Sequence, residues 1–125
     1  MTIQKKLGIV TCESGATAVE FALVLPALAS LVVGALYAGL LVYSAAGLRS
    51  AVEQAARCYS VNATQCGSAS AAQSYAQNEY YGIANPTFTA STQSCGHQVA
   101  ATVIIPVIAV VVNFSVPLSA TACFP

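Results

Sequence analysis

The chain has 125 residues, zero formal net charge, and 6% charged against 57% hydrophobic residues. Soluble globular chains carry about a quarter charged residues, so this composition belongs in a membrane or inside an assembly. Neutrality and the lack of a basic cluster leave no electrostatic footprint for nucleic acid, and no nucleic-acid partner is expected.

The few charges are unevenly placed. Lys5, Lys6 and Glu13 precede Gly15, Glu20 stands at the head of an apolar run, and Arg49, Glu53 and Arg57 close that run. Beyond Cys58 only Glu79 is formally charged, with His97 as a further titrating group.

From the N-terminus, the string Gly15-Ala16-Thr17-Ala18-Val19-Glu20-Phe21 leads into 28 uncharged residues, Phe21 to Leu48. A secretory signal has an apolar stretch of roughly 7–15 residues followed by a small-residue cleavage site. Here the small residue comes first and the apolar run is about twice that length, so a cut at the glycine would leave the helix on the mature protein. The positive-inside rule puts Lys5 and Lys6 in the cytoplasm and the chain after about Ser44 on the other side. A carboxylate at the mouth of a membrane helix is costly, which marks Glu20 as a residue with a role.

As a helix the uncharged run spans about 42 Å, against about 30 Å of hydrocarbon. The excess is expected to emerge into water. Beyond Tyr43, the residues Ala45, Leu48, Val52, Ala55 and Tyr59 recur at 3, 4, 3, 4 spacing, while Arg49, Glu53 and Arg57 take the polar side. The pattern predicts one helix from about Thr17 to Cys58. Pro26 cannot donate to the carbonyl of Ala22. It reads either as a tolerated membrane proline or as a weak point that lets the first turns repack in an assembly.

The exported part reads as a short helix over Ala71–Tyr81, preceded by cap candidates in Gly67-Ser68-Ala69-Ser70 and ended by Gly82 at the C′ position. Tyr75, Ala76 and Tyr80 are its inner side. Three strand-like runs follow: Thr87–Thr92 around Phe88, Val99–Ile105 and Val110–Val116, the last two bounded by Pro106 and Pro117. In the last run Val110, Val112, Phe114 and Val116 share a face opposite Val111, Asn113 and Ser115. A second membrane helix over Val99–Val112 is too short, with 14 residues against about 20 needed, and contains Pro106. The fold class is α+β: a long N-terminal transmembrane α-helix, then a small disulfide-stapled domain with a short helix and a three-stranded antiparallel sheet.

Four of the five cysteines, Cys58, Cys66, Cys95 and Cys123, lie where thiols oxidise, and Cys12 is left unpaired on the leader side. Four cysteines allow three connectivities, of which Cys58–Cys66 and Cys95–Cys123 is favoured. The first would fasten the helix end to the next loop and the second would tie two β segments. No C-x2-C spacing occurs and there is one histidine, so no metal site and no cofactor are expected. Nor is catalysis. His97 with Ser91 or Ser94 is the best pair available, no spacing supports it, and a lone histidine after Gly96 reads as a turn residue.

GATAVEFALVLP resembles the processing region of TadE-like proteins, the pseudopilins of the tight adherence (Tad, Flp-type) pilus system. The resemblance extends to AVEQAARCYS at the helix end, to Cys66-Gly67 and Cys95-Gly96, and to the terminal Ala122-Cys123-Phe124-Pro125. Two features depart from the pattern: only two basic residues in the leader, and Cys12-Glu13 just before the glycine. The resemblance implies cleavage between Gly15 and Ala16 by a membrane prepilin peptidase. It also implies assembly through Glu20 and Phe21, the acid neutralising the new α-amine of a neighbouring subunit. The organisation it implies is a leader over 1–15, a transmembrane and emergent helix over 16–58, and an exported domain over 59–125. Expected partners are the peptidase, other pilus or pseudopilin subunits, the inner-membrane assembly platform and the lipid bilayer. The expected place is the bacterial inner membrane, single-pass, N-terminus cytoplasmic and C-terminal domain periplasmic. The alternative is an unprocessed bitopic protein whose disulfide-stabilised ectodomain binds a partner.

Overall fold

A computed structural model describes residues 13–108 and 112–125. Its first element is a single helix, α1 (Glu13–Val61), with Pro26 inside it. Two shorter helices follow, α2 (Ala63–Cys66) and α3 (Ala69–Glu79), then three strands, β1 (Thr87–Gln93), β2 (Gly96–Ile108) and β3 (Asn113–Phe124). By compactness the chain divides into residues 1–35 and 36–125.

In the unit over 36–125 the last turns of α1 lie across a three-stranded antiparallel meander of order β1-β2-β3. Of the stripe read from the sequence, Leu48, Val52 and Ala55 are buried and Ala45 and Tyr59 half-buried. With Ala51 and Ala56, the three buried residues pack against Phe88, Val99, Ala101, Val103 and Ala120 of the sheet. Arg49, Glu53 and Arg57 are exposed. The small alanines let helix and sheet approach closely, and the larger Leu48 and Val52 fill the space between them.

Helix α3 packs beside β1 and joins the core at the end of α1. Ser68 caps it, its hydroxyl accepting from the Ala71 amide at 3.2 Å. Ala72 and Ala76 are buried, and Tyr75 and Tyr80 pack on the core. The helix ends at Glu79 and the backbone at Tyr80 is already extended, so Gly82 is not its C′ residue. Gly82 instead allows a close approach: a Cβ there would strike the Tyr80 phenol.

Disulfides join Cys58 to Cys66 and Cys95 to Cys123, the favoured pairing. The first joins the end of α1 to α2. The second links the β1–β2 turn to the end of β3. The Ser60 hydroxyl donates to the Phe124 carbonyl at 2.9 Å, so the C-terminal strand is also tied to the helix. In the β1–β2 turn Gly96 has φ +119°, and a Cβ there would collide with the Phe124 carbonyl.

The prolines do not bound the strands. Pro106 pairs with Ser115 inside the β2–β3 ladder, and Pro117 pairs with Ile104. Pairs along an antiparallel ladder alternate between hydrogen-bonded and non-hydrogen-bonded. Both proline pairs fall on the same alternate set, so both occupy the non-hydrogen-bonded positions, where the missing N–H would have pointed away from the partner strand. Strand β1 stops pairing at Thr102. On β2 the outward direction at Pro106 is therefore a free edge, where a strand tolerates proline. Phe114 and Val116 alternate with Asn113 and Ser115 as expected, while residues 109–111, including Val110 and Val111, lie outside the described residues.

Candidate functional site: the apolar helix and its N-terminal motif

The expected processing residues lie within α1, which is described from Glu13, ahead of the expected start near Thr17. Gly15 is exposed, and nothing lies within 4 Å of where its Cβ would be.

One turn further, Glu20 and Phe21 are both exposed, the phenylalanine at 66%. Leu23, Val24, Leu28 and Leu31 follow, each more than half exposed. Helix α1 is assigned continuously through Pro26. Near the proline the Ser30 hydroxyl donates to the Ala27 carbonyl at 2.8 Å, placing a polar group beside the locally weakened ladder. A helix with such bare leucine and valine surface is not stable alone in water. By length and composition it is long and apolar enough to cross a membrane.

Among the described residues, titratable groups elsewhere form no reactive constellation. His97 is the second residue of β2, its Nδ1 3.4 Å from Thr92 Oγ1 and its ring 4.1 Å from that of Tyr59. Its neighbours are thus Thr92 and Tyr59, not the imagined Ser91 or Ser94. Among the described residues no group of three or more His, Cys, Asp or Glu could hold a metal ion. A cleft of about 530 Å³ between α3 and β1 is lined by Gln73, Ser74, Gln77, Asn78, Pro86, Thr87 and Phe88, with no charged side chain among them.

Two features were not anticipated from the sequence. Ser44 Oγ and Tyr80 Oη are buried without hydrogen-bond partners. Burial pushes the Tyr80 phenol above its ordinary value, and the nearby Ser44 hydroxyl offsets this only in part. Tyr43 and Tyr81 form an aromatic pair, with centroids 5.4 Å apart, at the level where α1 begins to be covered by the domain. Only the tertiary fold brings Tyr81 to Tyr43.

Fold and helix together define a small disulfide-stapled α+β domain preceded by one apolar helix long enough to span a membrane. Residues 15–57 match the family model of the TadE-like proteins, a pilus-related family to which the chain is similar over that stretch. No curated protein and no solved structure matches the chain.

Proposed function

We propose that the protein is a pseudopilin of the Tad pilus system, made as a precursor and cut between Gly15 and Ala16 by a prepilin peptidase on the cytoplasmic side. The observation that carries this reading is the family match, which begins at Gly15 and ends at Arg57, just before the first stapled cysteine. The uncut chain would be inserted with its N-terminus in the cytoplasm and the domain beyond α1 in the periplasm. Only a small side chain at Gly15 leaves the scissile peptide accessible.

Cleavage creates an α-amine at Ala16. Glu20 of a neighbouring subunit neutralises it inside the apolar bundle, where an unpaired charge is costly. Phe21 and the chain around Pro26 repack against adjacent subunits and the inner-membrane assembly platform. The domain from about residue 59 is then the part presented outside the membrane.

The unprocessed bitopic alternative draws support from one observation: α1 runs through the expected cut without interruption. A Gly15→Leu variant separates the readings. On the pseudopilin reading it stays full length, inserts normally and no longer supports piliation. On the alternative it behaves as wild type.

A further inference from the structure

We propose that the β2–β3 ribbon is a second membrane contact, its exposed apolar end lying at the headgroup–acyl boundary of the leaflet on the domain's side. This rests on the reading of α1 as the membrane anchor and adds to it a site for lipid acyl chains.

The ribbon is the part of β2 and β3 that β1 does not cover, beyond Thr102. Val103, Ile105 and Val107 are buried on its helix side. The alternate positions Ile104 and Ile108 face outward at 65% and 71% exposure, and at the same end of the ribbon Phe114, paired with Val107 on the helix-side face, and Val112 are still bare at 53% and 56%. Residues 102–119 contain no charged side chain. Exposed aliphatic and aromatic residues concentrated at one end of a small domain mark a contact surface.

The position of this surface names its occupant. The Tyr37 hydroxyl donates to the Ile108 carbonyl at 3.4 Å, fixing the ribbon end beside α1. Tyr37 stands 12 residues before Arg49, the first charge after the apolar run, and so about 18 Å along the helix from it. At this level α1 itself exposes Leu36, Leu40 and Val42. Helix and ribbon thus present one apolar belt. About 9 Å nearer Arg49 along the helix, Tyr43 and Tyr81 form the half-exposed aromatic pair typical of a membrane–water boundary.

The alternative occupant, a strand of another subunit added to the ribbon edge, is disfavoured by the prolines. Pro106 and Pro117 each delete an outward-pointing N–H, one on the free edge of each strand. That blunts the edges against strand addition and lowers the number of donors left unsatisfied beside lipid. The remaining edge groups keep the ribbon at the boundary, where interfacial water reaches them, rather than in the hydrocarbon core.

The chain has no tryptophan, so single substitutions report depth directly. Full-length Phe114→Trp, Leu31→Trp and Gln77→Trp proteins would be placed in phosphatidylcholine vesicles containing lipids brominated either near the headgroup end or near the bilayer centre. The expected result is blue-shifted emission from Phe114→Trp and loss of most of its intensity with the shallow bromines, while Gln77→Trp, on exposed α3, keeps its intensity. Adding Ile108→Asp to Phe114→Trp should restore emission. A Phe114→Trp signal as insensitive as that of Gln77→Trp, with Leu31→Trp still quenched, would overturn the ribbon contact alone. Loss of quenching at Leu31→Trp as well would instead overturn the anchor. Protection of Phe114→Trp that depends on protein-to-lipid ratio and not on bromine would assign the surface to a second copy and also overturn the proposal.

Discussion

Glu20 and Gly96 show how differently single residues act in this chain. Glu20 is exposed on α1, so nothing within the monomer depends on it. Glu20→Ala should therefore leave expression and insertion intact or improved, because a carboxylate at a membrane entrance is unfavourable. What it should reduce is co-purification with other pilus subunits, by about 3–5 kcal/mol per contact if the ion pair is buried. Wild-type piliation by this variant at normal expression would remove Glu20 from assembly. Gly96 is constrained from within. Its φ of +119° and the Phe124 carbonyl in the path of a Cβ make Gly96→Ala a backbone defect. Thermal or urea unfolding of the variant should show a loss of about 1–3 kcal/mol.

Tyr80 is a third case. Burial raises its pKa above the ordinary 10.0, so the folded state holds the proton more tightly than the unfolded one. The resulting stabilisation is fully present below that value and is lost as pH rises through the folded pKa. Tyr80→Phe removes an unpaired buried hydroxyl, so it should be neutral or stabilising at neutral pH. It should also flatten the alkaline fall in stability, measured by urea unfolding at a series of pH values. A steeper alkaline loss in the variant would contradict the assignment.

Among the elements, the two disulfides differ in the loops they close. Cys58 and Cys66 are 8 residues apart in sequence, and Cys95 and Cys123 are 28 apart. In the chain-entropy account these loops are worth about 2.5 and 3.6 kcal/mol. Replacing Cys95 and Cys123 by serine should lower the urea midpoint more than replacing Cys58 and Cys66. The reverse order would show that fastening α1 to α2 matters beyond loop entropy. Leu48 is the large side chain between α1 and the sheet, 1% exposed, and Leu48→Ala should cost about 2–5 kcal/mol in the same assay.

The elements were legible in proportion to how local their signals are. The buried stripe of α1, the Ser68 cap and the strand around Phe88 follow from spacing and side-chain chemistry within a few residues. Pro106 and Pro117 misled because a proline's effect on a strand depends on which way its missing N–H would point. That direction is set by the register of β2 on β3 and by where β1 stops, neither of which is local. Gly82 misled for a similar reason: its lack of a side chain serves the Tyr80 phenol rather than a helix cap. The glycine–acid–aromatic spacing at Gly15, Glu20 and Phe21 was legible as a motif; on the proposed reading its chemistry lies between subunits, where a single chain does not display it.

At the scale of the molecule, the charges that remain are placed where water is expected. Arg49, Glu53 and Arg57 face outward on the emergent turns of α1, and Arg57 stands 6.0 Å from the centroid of the Phe124 ring. Below them the side chains turn apolar on α1 and on the β2–β3 ribbon alike. A stapled domain on an apolar helix suits a subunit drawn through a membrane by its anchor while its domain stays folded. The short loops and disulfides resist unfolding, and the bare leucines of α1 are left for lipid or for neighbouring helices.

The central claim concerns the peptide between Gly15 and Ala16. N-terminal sequencing of the protein extracted from the membranes of its native host tests it most directly. The account predicts a mature chain beginning at Ala16, with Glu20 as its fifth residue. A mature chain that still carries the residues before Gly15 would contradict it.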